Sequence, residues 1–208
     1  MPGDHPPTAA ARVHGESGAV MVEAALVVVI LVALISGIVD ISSLARTRIA
    51  LERLASSSAR VTAMGASPAS TDLDVLEAVA GSLETMPGAV VRRVMVFRVE
   101  SATGAPPSEC EGLRPETASA SGVAGLCNVY GPAHFAAMGS SVQPPMGCAP
   151  PSWEGAWCPA QRSRQQPAAD HAGVLIEVEQ RPLATGMFTS RVRVLTATAV
   201  VLLESEVP

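Results

Sequence analysis

The residues best equipped for chemistry in this sequence of 208 amino acids are four cysteines, four histidines and a few carboxylates in unusual settings. Cys110, Cys127, Cys148 and Cys158 all lie in one stretch rich in Pro, Gly and Ser. None belongs to a C-x-x-C pair, the spacing used by zinc ribbons and redox motifs, so the expected chemistry is oxidation to disulfides. The alternative is four unpaired thiols that are simply buried. Pairing Cys110 with Cys127 and Cys148 with Cys158 closes the shortest loops, which makes it the preferred connectivity without excluding the others. Bridges would put this segment on the oxidising side of a membrane. His5, His14, His134 and His171 are scattered without metal-ligand spacing. There is no Gly-rich phosphate loop, H-E-x-x-H or G-x-S-x-G, and no strand precedes the GESG at 15–18 to turn it into a nucleophile elbow. Glu177 and Glu179 fall in an alternating pattern that assigns them to the wet side of a strand, not to an acid/base pair. No catalytic residue, metal site or cofactor is expected.

The remaining carboxylate, Glu23, sits at the head of an apolar run. From Ala24 to Val39 no side chain is charged. With Ala19 to Val22 the run reaches about 21 residues, enough as a helix to cross ~30 Å of hydrocarbon. A carboxylate there costs roughly 2.5 kcal/mol or more if unpaired, so it calls for a partner. Beyond Asp40, the residues Ile41, Leu44, Leu51, Leu54 and Val61 keep helical spacing, with Arg46, Arg48, Glu52, Arg53 and Arg60 between them. One helix is therefore expected to continue to about Met64, apolar first and amphipathic second. A cleaved secretory signal fits poorly: the run is too long for an h-region, no A-x-A site follows, and the helix continues without a break.

Gly18, four apolar positions and Glu23, heading a helix that becomes an amphipathic stem, resemble the prepilin signature of type IV pilin-like proteins. More narrowly, GAVMVEAALVVVILVALISGIVDIS resembles the N-terminal segment of TadE-like pseudopilins, minor pilin-like proteins of tight-adherence (Flp-type) pilus systems. VLIEVEQRPLATGMF followed by VLTATAVVLLE is similar to the closing strand pair of that family. This chain has Ala24 where the family often has an aromatic, and no proline between Pro7 and Pro68. The resemblance implies a leader at 1–18, removed by a prepilin-type peptidase between Gly18 and Ala19. It further implies a membrane helix at 19–41, its amphipathic continuation at 42–66 and an extracytoplasmic domain at 70–208. Glu23 would then act in helix assembly with other pilin-like subunits, at the inner membrane.

The rest of the chain fits a small α+β domain. The 48% apolar content is inflated by the first helix, leaving material for one modest core. The net charge is −5, all 14 basic residues are Arg, and no basic patch longer than Arg92–Arg93 offers a footing for nucleic acid. Over 70–86, Thr71 is a candidate N-cap with Asp74 three residues on, Asp72 lies in the first turn, and Pro87-Gly88 marks the stop. Leu73, Leu76, Val79, Ala80 and Leu83 line its apolar face. The stretch 90–100 reads as a strand with Met95, Phe97 and Val99 on one face and Val94 and Val96 on the other. Residues 101–169 read as a loop-rich insertion stapled by cysteines, with Tyr130, His134, Phe135, Trp153 and Trp157 expected to pack over the sheet in preference to meeting a partner. QRSRQQPAAD at 161–170 reads as a solvated linker. Strands at 173–180 and 191–203 close the chain, with Leu183, Met187 and Phe188 in the loop between them. Ala197 and Ala199 leave one face shallow enough for the stem of the first helix.

Charge bias points the other way on topology. Only Arg12 precedes the apolar run, whereas Arg46, Arg48, Arg53 and Arg60 follow it, which by the positive-inside rule favours a cytoplasmic C-terminal side. The resemblance and the cysteines both favour the extracytoplasmic side. Two function classes follow: a non-enzymatic, membrane-anchored pilus-assembly pseudopilin, or a single-pass anchored extracytoplasmic domain that binds a ligand or envelope component and assembles nothing.

Overall fold

The computed structural model describes residues 16–64, 71–100, 104–140, 145–149, 151–164, 169–182 and 191–203. Its spine is α1 (Glu16–Met64), unbroken over 49 residues and therefore about 73 Å long. It starts slightly ahead of the expected boundary, since Glu16 to Gly18 are already helical. No proline interrupts it, and only its second half is packed. Leu51, Leu54, Ala55, Ser58, Ala59, Thr62 and Ala63 are buried at spacings of three and four, which is one face of a helix.

That face lies on a five-stranded antiparallel sheet of order β2-β3-β1-β4-β5, built from β1 (Ala89–Arg98), β2 (Gly122–Val123), β3 (Cys127–Tyr130), β4 (His171–Gln180) and β5 (Arg193–Leu202). The architecture is α+β. α1 crosses β4 and β5, and α2 (Thr71–Leu83) packs beside it and over β1. The small side chains Ala55, Ala59 and Ala63 on the helix meet a strand whose inward face includes Ala197 and Ala199, so the two backbones approach closely. Two clusters fill the two faces of the sheet. Val94, Val96, Val174, Ile176 and Val178 join the helices on one side. On the other, Met95, Phe97, Val129 and Leu175 surround Cys110 and Cys127. The alternation expected of β1 is thus observed.

The second face is tight at Gly173. A Cβ built there would overlap the Phe97 ring, which lies directly against the glycine backbone. Gly173→Ala is expected to destabilise the domain by about 1–3 kcal/mol, because ring and strand must part. A thermal melt unchanged from wild type would show that Phe97 can rotate away freely.

Several expectations need correction. The apolar stripe of α2 is rotated: Val75, Leu76 and Val79 are fully buried, while Leu73 and Ala80 are only partly so. The reason is that Asp72 also points inward. The described residues within 101–169 form β2, β3, α3 (Ser108–Glu111), α4 (Pro132–Met138) and a 3-10 turn at Pro159–Gln161, more regular structure than the composition suggested. β3 was missed because four residues bracketed by Gly and Cys carry too little period to read. Glu177 is not on a wet face. It is buried, with Arg93 Nε at 2.8 Å, Arg92 Nε at 3.0 Å and an Arg114 guanidinium nitrogen at 3.6 Å. Consecutive residues of a regular strand point to opposite faces, but the register shifts between Val91 and Arg93, and this irregularity lets Arg92 and Arg93 reach one carboxylate. The described part of 161–170 is no solvated linker either, residues 165–168 lying outside the described ones: Arg162 is buried, and Arg164 donates to Ala63 O at 3.2 Å, capping a helix end that has no basic residue in its last turn. The cysteines pair sequentially, Cys110–Cys127 and Cys148–Cys158. The expected packing of the aromatics also holds, with Tyr130, Trp153 and Trp157 in the main core. Residues 1–15 of the expected leader and 183–190 of the β4–β5 loop, including Leu183, Met187 and Phe188, lie outside the described residues.

Candidate membrane and assembly helix

Among the described residues, the first half of α1 buries none of its large apolar side chains. From Gly18 to Ile41, about 36 Å of helix, its large apolar side chains face outward, with Leu26 62%, Ile38 64% and Ile41 68% exposed. Ten residues later, Leu51 is 1% exposed in the core. One helix is therefore a free apolar rod at its N-terminal end and a core element at its C-terminal end. Among the described residues it alone is long and apolar enough to cross a membrane. An apolar surface of this length in water would be an aggregation hazard, which the bilayer removes.

Gly18, Ala19 and Glu23 all lie at the outer end of this rod and are exposed, with no contact to the domain. Glu23 is five residues on from Gly18, about 7.5 Å along the axis. Asp40 closes the apolar run at its other end. Residues 18–60 match the family model for TadE-like proteins. The match begins where the exposed rod begins and ends inside the buried stem. No curated protein and no solved structure matches the chain. The chain thus carries a segment similar to TadE-like proteins on a helix long and apolar enough to cross a membrane.

Behind the TadE-like helix, a buried polar network ties the cysteine-bearing segment to α2 and the sheet. Asp72, in the first turn of α2, accepts hydrogen bonds from Asn128 Nδ2 at 2.8 Å, Tyr130 OH at 2.8 Å and Arg162 at 2.9 Å. Its second oxygen lies 2.8 Å from the same Arg162 nitrogen. The Arg162 guanidinium also stacks 4.3 Å from the Trp157 ring centroid. Asn128 bridges to the Trp157 backbone at both ends of its amide, each at 2.8 Å. Glu154 completes the set, accepting from Asp72 N at 3.0 Å and Gly147 N at 2.9 Å. Sequence reading placed Asp72 beside the helix dipole and Arg162 in a linker. The only available signal was the excess of polar residues around Trp157, and partners 90 residues apart cannot be matched from one sequence.

The network titrates. Burial, reinforced by the Asp72 charge, pushes the Glu154 pKa from 4.5 to about 7, although both its oxygens accept backbone N–H groups. Tyr130 is raised well above its ordinary value, chiefly by burial, and remains a neutral donor. His134, whose Nδ1 accepts from Gly131 N at 3.1 Å, is lowered by burial. The consequences for stability have opposite signs. The Glu154 contribution is complete below pH 4.5 and is lost as the pH rises through about 7. The His134 contribution is present above its ordinary 6.5 and is lost as the pH falls through its lowered value. Between pH 5 and 7.5 the Glu154 contribution is expected to fall by ~2–3 kcal/mol as the pH rises. Glu154→Gln should flatten this slope in denaturant titrations; an unchanged slope would place the titration elsewhere.

Proposed function

We propose that this protein is a non-enzymatic TadE-like minor pseudopilin whose helix anchors it in the inner membrane and packs with pilin-like partners during assembly of a Flp/Tad-type pilus or secretion apparatus. The observation that carries the reading is the exposed apolar half of α1, with Glu23 near its end and a TadE-like match over 18–60. A prepilin-type peptidase cuts between Gly18 and Ala19, leaving a free α-amino group on Ala19 of pKa ~8 at the edge of the bilayer. Amine and carboxylate are each costly there, and each meets the other's need. In a bundle of parallel helices, an axial stagger brings Glu23 of one subunit to the Ala19 amine of its neighbour, so the pair forms on assembly. Weakly screened in the membrane, it selects one register among otherwise similar apolar faces. The folded domain stands on the extracytoplasmic side, a placement supported by its two disulfides.

Glu23→Ala tests this reading. Insertion and leader cleavage should be retained while co-purification with pilin-like partners is lost, and Glu23→Asp should partly preserve it. N-terminal sequencing of the native protein should begin at Ala19. A start at Met1 would remove the amine from the scheme. An Ala variant that still associates at wild-type levels would move assembly to other surfaces.

A further inference from the structure

Where α1 leaves the domain, a cavity of about 50 Å³ opens between the helix and the adjoining ends of β4 and β5. Its walls are Asp40, Ile41, Ser43 and Leu44 from the helix, Gln180, Arg181 and Pro182 from the end of β4, and Arg191 and Arg193 from the start of β5. Its depth along the chain is fixed: Asp40 is the first charged residue after the apolar run, so the cavity lies where hydrocarbon gives way to headgroups. Among the described residues, no ion pair or side-chain hydrogen bond engages Arg181, Arg191 or Arg193, whereas Arg92, Arg93, Arg114 and Arg162 are all committed to carboxylates. Three guanidiniums against the single carboxylate of Asp40 leave the cavity net positive.

The frame behind these arginines is rigid. Arg181 N donates to Gly88 O at 2.8 Å. The buried Gln180 carboxamide donates through Nε2 to Pro87 O at 3.0 Å and Arg181 O at 3.1 Å, clamping the strand end to the turn after α2. Ile38 and Ile41 of the helix are 64% and 68% exposed beside it, so apolar surface flanks the charge. Across the helix, Arg46 lines a second, larger cavity with Ile38, Val39 and Pro87. Cationic groups set beside exposed apolar side chains at the foot of a membrane helix match the two halves of a phospholipid: a phosphodiester and the start of its acyl chains.

We propose that this cavity is a binding site for the headgroup of an anionic phospholipid, with Arg181, Arg191 and Arg193 holding the phosphate and Ile41 and Leu44 meeting the apolar part. The inference rests on α1 spanning a bilayer, and not on cleavage, partners or fibre entry. Bound lipid fixes the height of the domain above the membrane and so the level at which neighbouring helices present Glu23 to one another.

The test uses the full chain, extracted in detergent and offered equimolar phosphatidylglycerol and phosphatidylcholine, with retained lipid counted by native mass spectrometry. Wild type should retain phosphatidylglycerol selectively. Replacing Arg181, Arg191 and Arg193 with Gln should weaken that preference by roughly fivefold per arginine, on the order of a hundredfold together. Arg53→Gln with Arg60→Gln, removing exposed charge farther along α1, should leave it intact. Arg191→Lys with Arg193→Lys should preserve it, which separates charge from folding. Membrane insertion, followed by carbonate extraction, should be the same in all variants. No selectivity in wild type, equal loss in the Arg53/Arg60 control, or displacement of the lipid by inorganic phosphate would each overturn the assignment. Loss of Glu23-dependent association with lipid selectivity intact would instead count against the assembly role alone.

Discussion

Replacing Asp72 with alanine is expected to lower the unfolding free energy of the domain by about 3–5 kcal/mol, the cost of leaving a buried guanidinium without its counter-charge. Asp72 and Arg162 side chains are fully shielded from solvent, so the guanidinium has no ready replacement for the lost carboxylate. Asn128 Nδ2 and Tyr130 OH lose an acceptor at the same time. A domain of this size has about 5–15 kcal/mol in total, so the variant should sit close to its unfolding threshold. Changing both partners, Asp72→Ala with Arg162→Met, should recover much of the loss, because an apolar pair carries no stranded charge. Urea titration of the three proteins reads this directly. A single variant within 1 kcal/mol of wild type, on the scale of an ordinary surface change, would mean that solvent reaches the network when Asp72 is gone.

How far the fold could be read in advance follows from where each pattern is local. α1 was legible nearly residue by residue, because 49 residues of uninterrupted helical period carry a large redundant signal. β1, β4 and β5 were legible from alternation. The faces were less so: the alternation in β4 assigned Glu177 to solvent, and only the irregularity beside Val91 and the loop bearing Arg114 reverse that. The membrane rod, with Gly18 and Glu23 at its end, was visible for the same reason as α1. The polar network was not. Its members come from α2, β3 and the stretch 147–162, and nothing within any one of them marks Asp72 as different from Asp74, which stays exposed one turn face away.

The arginine rim also bears on the conflict between charge bias and topology. The positive-inside rule weighs short loops near the membrane and loses force when a long segment is translocated. The segment after α1 is a folded domain, and several of its arginines are bound to carboxylates within it: Arg92 and Arg93 on Glu177, Arg162 on Asp72. Counting Arg residues by sequence position therefore overstates the free positive charge that the membrane would meet. Among the described residues, Arg181, Arg191 and Arg193 stand without carboxylate partners at the foot of the helix, beside Arg46, where headgroup phosphates lie on either side of a bilayer, while Arg53 and Arg60 stay exposed farther along α1.

Reducing both disulfides should cost the domain more than any single side-chain replacement, and so decide which compartment can hold it folded. The bridges close segments of 17 and 10 residues, each worth about 3 kcal/mol in the chain-entropy model, for ~5–6 kcal/mol together. Cys110 and Cys127 are fully buried against Phe97 and Met95, and their bridge fastens the segment around α3 over the second face of the sheet. The Cys148–Cys158 loop carries Glu154 and Trp157, which bond to Asp72 and Arg162. Opening it should weaken that network as well, so Cys148→Ser with Asp72→Asn is expected to cost less than the sum of the two single variants. Because Cys148 is exposed, mild reductant should open this bridge before the buried one. Full reduction would remove a large part of a total stability of about 5–15 kcal/mol, leaving a chain that folds securely only where thiols are oxidised. Thermal melts of the domain within the full-length protein, with and without reductant, measure the loss. If the reduced protein melts within a few degrees of the oxidised one, the bridges are incidental to stability, and the extracytoplasmic placement loses its main physical support.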